Sequence, residues 1–426
     1  VAEGTVSRRP AWRDLGSFVA DGLREATTGG PVYHLWMGGL TLLMLIGSWG
    51  YWTQLRHGLA VTGMNDHVSW GLYISNFTFL VGLAAAAVML VLPAYVLKDT
   101  DFPRAVLIGE GVAVAALVMC LGFVTVDVGG PHRLWHMIPG IGYFNWPDSM
   151  LTWDVLVLNG YLALNLLIPF YILFSRYRGR SPKKALYLPF VFLSVGWAFG
   201  IHLVTAFLYA GLPARPFWNN ALLGPRFLAS AFAAGPAFIL VALWAIRRWT
   251  DYDIQRDTFR KLALIATVAA QVNLVMLISE LFKEFYHPTE HSASAIYLFF
   301  GLGGADDLVP WIWTAVIVNV LCTLILTIHP LRRNLRVLIP VCAALFVAIW
   351  IEKGMGLIVP GFIPGPWGDV VEYHPTGVEI AVTMGIWALG LFLFTVLVRV
   401  ALPVELGRAR APGLPTNPGR TVSETT

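Results

Sequence analysis

Ten stretches of the chain stay apolar for about the 20 residues that a helix needs to cross a bilayer. They fall at 33–54, 70–97, 104–126, 150–174, 184–210, 219–247, 260–285, 307–328, 335–352 and 377–402, the ninth being the shortest. None alternates polar and apolar positions with period two, so each is predicted as a helix rather than a barrel strand. Ahead of the first, residues 10–25 carry a different pattern. Trp12, Leu15, Phe18, Val19 and Leu23 recur at helical spacing among polar residues, which predicts a short amphipathic helix on the membrane surface or against a partner. The predicted architecture is an all-α, multi-pass membrane protein. Residues 1–30 form an amphipathic N-terminal segment, 31–404 a ten-helix domain, and 405–426 a disordered-like tail.

A repeat refines the arrangement. Phe79-Leu-Val-Gly-Leu-Ala-Ala-Ala-Ala87 in the second span resembles Phe227-Leu-Ala-Ser-Ala-Phe-Ala-Ala-Gly235 in the sixth. Spans 2–5 (about 70–210) and 6–9 (about 219–352) are therefore expected to form two four-helix bundles, with one flanking helix at each end. The small residues would let helices approach closely.

Composition excludes the soluble classes. The 426 residues are 57% hydrophobic and only 13% charged, with a mean hydropathy of +0.67; an ordinary soluble domain is roughly 25% charged. Cys120, Cys322 and Cys342 lie far apart in apolar runs, so no disulfide framework or cysteine-rich metal site is expected. Residues 1–30 lack the apolar core of a cleavable signal peptide. The net charge of +4 matters less than its placement. With the N-terminus inside, 23 of the 29 Lys and Arg residues fall on the inner side and six outside: Arg56, Arg133, Arg215, Arg226, Lys283 and Lys353. The positive-inside rule then puts both termini in the cytoplasm.

Chemistry concentrates on the outer side between 124 and 161. Gly129, Gly130 and Pro131 turn the chain after the third span, with Asp127 and Arg133 placed to pair across the turn. His136 and Asp154 follow at the outer membrane edge beside Trp135 and Trp153. A quinone site needs an apolar, aromatic cleft with polar groups at the two ring oxygens, and quinol oxidation needs a proton acceptor. His136 and Asp154 are the candidate catalytic pair. Tyr73 and Asn76, on the second span, are placed to complete the cleft, and Asp127, Arg133, Trp135, His202 and Arg226 join His136 and Asp154 as candidates for binding the quinone. Ionisable groups within spans are functional candidates by default. His202 lies deep in span five and Arg226 near the outer start of span six. Glu110, Gln271 and Glu280 are candidates for a proton path, with Asn273 beside them, while Glu352 and Lys353 are expected to snorkel or pair at the end of span nine. Facing histidine pairs and cysteine clusters are both missing from the spans, so no internal haem, iron–sulfur cluster or metal is expected.

Three motifs carry a family resemblance. Trp70-Gly-Leu-Tyr-Ile-Ser-Asn-Phe-Thr-Phe-Leu-Val-Gly, Asp127-Val-Gly-Gly-Pro-His-Arg-Leu-Trp-His136 and Trp153-Asp154 together resemble the NrfD/polysulfide reductase membrane-subunit family. Glu280-Leu-Phe-Lys-Glu-Phe-Tyr, Tyr297-Leu-Phe-Phe-Gly and Leu308-Val-Pro-Trp-Ile-Trp313 resemble its ten-helix branch, which includes hydrogenase-associated, alternative complex III and sulfite-reduction-associated (DsrP-type) subunits. The similarity covers roughly 30–400 and is nearest to the DsrP type. It implies a cofactor-free subunit of the bacterial or archaeal cytoplasmic membrane. Such a subunit exchanges electrons between menaquinone or ubiquinone and a periplasmic iron–sulfur partner. Cytochrome c, haem b and cytoplasmic iron–sulfur subunits make up the rest of complexes of this kind, and no nucleic acid is involved. The resemblance maps the family's quinone-site histidine, aspartate and polar helix position onto His136, Asp154 and Asn76. One departure concerns alternative complex III subunits, which carry an acidic residue after the span-five histidine, where this chain has Thr205, Ala206 and Phe207. A transporter or channel, or a passive anchor for redox partners, are the competing readings.

Overall fold

The computed structural model describes residues 10–96, 99 and 102–414. Arg8, Arg9, Lys98 and Arg420 of the charge count lie outside the described residues. Eleven long helices organise the rest. A surface helix α1 (Ala11–Thr27) precedes α2 (Pro31–His57), α3 (Leu72–Ala85), α4 (Pro103–Asp127), α5 (Met150–Tyr177) and α6 (Lys184–Ala210). After these come α7 (Leu223–Trp249), α8 (Arg256–Tyr286), α9 (Val309–Thr327), α10 (Leu335–Lys353) and α11 (Gly377–Glu405). Helices α2–α11 supply ten candidate membrane spans, as the apolar runs predict. Prolines at the first turns of α2, α4 and α9 start those helices where an amide donor is not needed. Glu379 and Thr376 cap α11 reciprocally.

Two sets of helices close on themselves. Helix α3 packs on α4, α4 on α5, α5 on α6 and α6 back on α3; α7, α8, α9 and α10 close a second ring the same way. The rings meet mainly where α3 and α6 touch α7. That junction is the repeated sequence itself. Gly82 faces Ala231, whose Cβ would stand 3.3 Å from a Cβ on the glycine, and Gly235 abuts Ala86. The Ala- and Gly-rich stretches thus serve the close helix approach that membrane packing favours.

The flanking helices pair with each other. Helix α2 runs along α11, and a Cβ on Gly47 would meet Gly385 Cα at 2.6 Å, so two glycines set the crossing distance.

Both ends of the described chain lie on one face, here called the terminal face; the opposite one is the loop face. Helix α1 docks there through Phe18, whose ring packs on Phe170, Phe174 and Tyr177, with Asp14 accepting from Arg178 Nε at 2.8 Å and Asp21 from the Tyr177 hydroxyl at 2.6 Å. Trp12, Leu15, Val19 and Leu23 stay exposed on its other side. The expected tail is packed as far as it is described: Ala411 is buried and its amide donates to the Tyr177 carbonyl at 2.9 Å.

Candidate functional site

Asp154 sits in the first turns of α5 and points inward, 2% exposed. Its Oδ1 accepts from the Thr205 hydroxyl of α6 at 2.8 Å. One turn further along α6, the Tyr209 hydroxyl lies 2.5 Å from Thr78 Oγ1. The Thr78 proton is committed to the Ile74 carbonyl at 2.7 Å, so Tyr209 is the donor in that pair. Tyr209 in turn contacts the rings of Trp70, Trp218 and Phe227 at 5.6–6.1 Å. A buried carboxylate with a single side-chain donor therefore borders an aromatic wall at the loop-face end of the first ring.

His136 stands elsewhere in the same region. It lies on the short helix Pro131–Met137, exposed, with its ring stacked on Trp135 at 3.8 Å. Among the described residues no hydrogen bond or ion pair joins His136 to Asp154. The loop carrying His136 is nevertheless fastened to α5. Trp146 packs on Trp153 at 3.9 Å, and Trp153 Nε1 donates to the Pro147 carbonyl at 2.7 Å.

The expected Asp127–Arg133 pair does not form. Asp127 ends α4 pointing inward, with a buried Oδ1 that has no partner among the described residues, while Arg133 is exposed on the following turn. Helix geometry explains the split: the last residue of α4 follows its buried face, and the Gly-Gly-Pro turn redirects the chain before Arg133. Near Asp127, the Tyr73 hydroxyl donates to Gln54 Oε1 at 2.8 Å, and Gln54 Nε2 donates to the Val126 carbonyl at 2.6 Å. Close by, Glu379 accepts from the Tyr373 hydroxyl at 2.5 Å and from the Gly63 amide at 2.7 Å. Burial, then the neighbouring carboxylate of Glu379, holds the Tyr373 phenol above its ordinary range. Asn76 is a junction: its Oδ1 accepts from the indoles of Trp350 at 3.0 Å and Trp387 at 2.8 Å.

A family model, Polysulphide reductase, NrfD, matches residues 60–363, which take in all of α3–α10. The chain belongs to the NrfD family. Among curated relatives, a putative dimethyl sulfoxide reductase membrane subunit of Halobacterium salinarum is 26% identical, covering 91% of this chain and 92% of the relative. An Hdr-like menaquinol oxidoreductase integral membrane subunit of Archaeoglobus fulgidus is 23% identical over 85% and 91%. A selenate reductase subunit of Mesobacillus selenatarsenatis is 22% identical over 85% and 92%.

The second ring of this NrfD chain holds a denser charge cluster. Arg226 of α7 pairs with Glu280 of α8 and, at 2.6 Å, with Glu352 of α10, whose other oxygen accepts from Asn319 of α9 at 3.0 Å. Glu352 and Lys353 do not snorkel, because the ninth span continues through short helical turns to Phe362 and keeps both inside. Lys353 Nζ lies 4.7 Å from the Phe227 ring centre and has no hydrogen-bond partner among the described residues. His202 lies across the junction: its Nδ1 contacts the Ala198 carbonyl at 3.1 Å and its buried Nε2 is free of hydrogen bonds among the described residues. Thr78, His202, Ser230 and Lys353 border one void of about 10 Å³, close to the room one water needs.

The proton-path candidates do not converge. Glu110 is on α4 in the first ring and Glu280 is clamped by Arg226. Gln271 is exposed on α8 and donates to Thr327 at 2.9 Å. Asn273, beside it, is buried with both side-chain polar atoms unsatisfied among the described residues. On the loop face, Asp307, Glu372 and His374 bring potential ligand atoms within 4.8 Å of one another. His374 already contacts Asp307 at 3.2 Å, and the Asp307 amide donates to Glu372 at 3.1 Å, so their own contacts account for the grouping.

Proposed function

We propose that this NrfD chain is the quinone-reactive subunit of a multisubunit membrane oxidoreductase. It exchanges electrons with an iron–sulfur partner seated on the loop face, and that face is periplasmic. The carrying observation is Asp154: a buried carboxylate with one side-chain donor, Thr205, beside the aromatic group of Trp70, Tyr209 and Trp218. Oxidising a quinol to a quinone releases two protons and two electrons. In this reading Asp154 accepts a hydroxyl proton, Thr205 holds the carboxylate in place, and the exposed His136 passes protons on to solvent. The electrons leave through the docked partner, because this chain offers no cysteine cluster to hold a centre of its own. Tyr73 and Asp127 belong to the polar end of the same region, and the family relation to a menaquinol oxidoreductase subunit supports the substrate class.

The helix contacts support grouping α3–α6 and α7–α10 as two four-helix bundles. Proton movement linked to turnover is a second reading, favoured by the unpartnered nitrogens of His202 and Lys353 about one water-sized void. The deciding experiment is quinol-analogue oxidation by the intact complex carrying Asp154→Asn or His136→Ala. A fall in turnover with normal assembly is expected; unchanged turnover in both variants rejects the site.

A further inference from the structure

A second cleft lies far from Asp154, toward the terminal face. It has a volume of about 310 Å³ and runs between α4, α5 and α11, with Phe18 of α1 closing one end. Its walls are hydrocarbon except for Glu110 and Asn165. Glu110 is only 7% exposed and has no hydrogen-bond or ion-pair partner among the described residues. Asn165, whose Nδ2 donates to the Tyr161 carbonyl at 2.9 Å, is the other polar group of the cleft wall. Leu167 (65% exposed) and Phe170 (44%) rim the opening, so it gives sideways onto lipid.

Depth selects the occupant. Glu110 is seven residues into α4, about 10 Å along the helix, and Asn165 is twelve residues from the terminal-face end of α5, about 18 Å. Both polar groups therefore sit below the interface, where an unsatisfied carboxyl is costly. A phospholipid keeps its polar atoms at the surface and would offer only an acyl chain here. A quinol or quinone brings a neutral ring with hydrogen-bonding oxygens into the hydrocarbon itself, and its isoprenoid tail suits the leucine- and phenylalanine-rich rim.

We infer that this cleft is a second quinone-binding site, on the membrane face opposite Asp154, with Glu110 and Asn165 addressing the ring oxygens. The inference rests on the reading that the chain works on quinones. It is tested by photolabelling the intact complex in native membranes with an azidoquinone and mapping the labelled peptides. Label is expected on 107–114, 165–173 and 397–402, reduced at least tenfold by Glu110→Leu and by Leu397→Trp, which fills the cleft. Leu397→Trp should leave quinol oxidation at the loop face unchanged. Label confined to loop-face peptides overturns the inference, as does cleft label that survives both substitutions or that a photoactivatable phospholipid displaces. Cleft label retained while Asp154→Asn and His136→Ala both turn over normally rejects the loop-face site and leaves this one standing. Label on neither face rejects both.

Discussion

The two helix rings bury acidic residues in opposite ways. In the second ring, Glu280 and Glu352 share one guanidinium, Arg226, and Glu352 also takes the Asn319 amide. In the first, Asp154 has only the Thr205 hydroxyl, and Asp127 Oδ1 has no partner among the described residues. A buried ion pair fixes geometry, and removing one member strands a charge. A carboxylate with one weak neutral donor is free to change protonation without dismantling its surroundings. The contrast is the ground for the proposal that the second ring's acids hold structure while the first ring's carry chemistry.

The largest effect should come from breaking the clamp. Arg226→Met leaves two acids buried without their cation and is expected to cost about 3–5 kcal/mol, seen as a large drop in melting temperature or loss of assembled complex. Adding Glu280→Gln and Glu352→Gln to Arg226→Met should restore most of it. If the triple variant is as unstable as the single one, the cluster's value is not electrostatic. Asp154→Asn is the converse case. Loss of a proton acceptor is expected to slow quinol oxidation about 100-fold or more, with the melting temperature held. Should Asp154→Asn unfold the protein while Arg226→Met does not, the comparison is inverted.

Between these stands Asn76. Its oxygen holds two indoles from α10 and α11, so Asn76→Leu strands both N–H groups and should cost on the order of 2 kcal/mol. Turnover per assembled complex should stay near wild type. A selective loss of turnover would make Asn76 a ligand group, as the family resemblance implies, rather than a tie between helices.

What can be read from the sequence divides along the same line. Each span is a local property, some twenty apolar residues in a row, and all ten emerge as helices. The pairing of side chains is not local. Arg226 and Glu352 are 126 positions apart, and Glu352 with Lys353 at the end of an apolar run reads as an interface. Asp127 and Arg133 mislead in the other direction, because proximity in sequence suggests a pair that the helix end and the turn send to opposite sides. Tyr209 and Thr78 carry no signal, since a tyrosine and a threonine in separate spans are ordinary until α3 and α6 meet. Glu379 and Tyr373 escape notice for a related reason: the capping box around Glu379 is readable, but its links to Gly63 and Tyr373 are not.

The smallest expected effect discriminates most finely. Thr205→Val removes the one side-chain hydrogen bond to Asp154 and keeps the shape of the side chain. If Thr205 only fills space, valine is harmless and serine, one methyl smaller, is the worse replacement. If it positions the carboxylate, valine should lower quinol turnover severalfold, on the order of 1 kcal/mol for one hydrogen bond, and serine should recover it. Turnover counted per assembled complex separates the cases: a positioning role lowers it in the valine variant, and a space-filling role leaves it unchanged. A valine variant with full turnover would show that Asp154 needs no fixed orientation and that Thr205 is not a positioning residue, leaving Asp154→Asn as the test of the carboxylate itself.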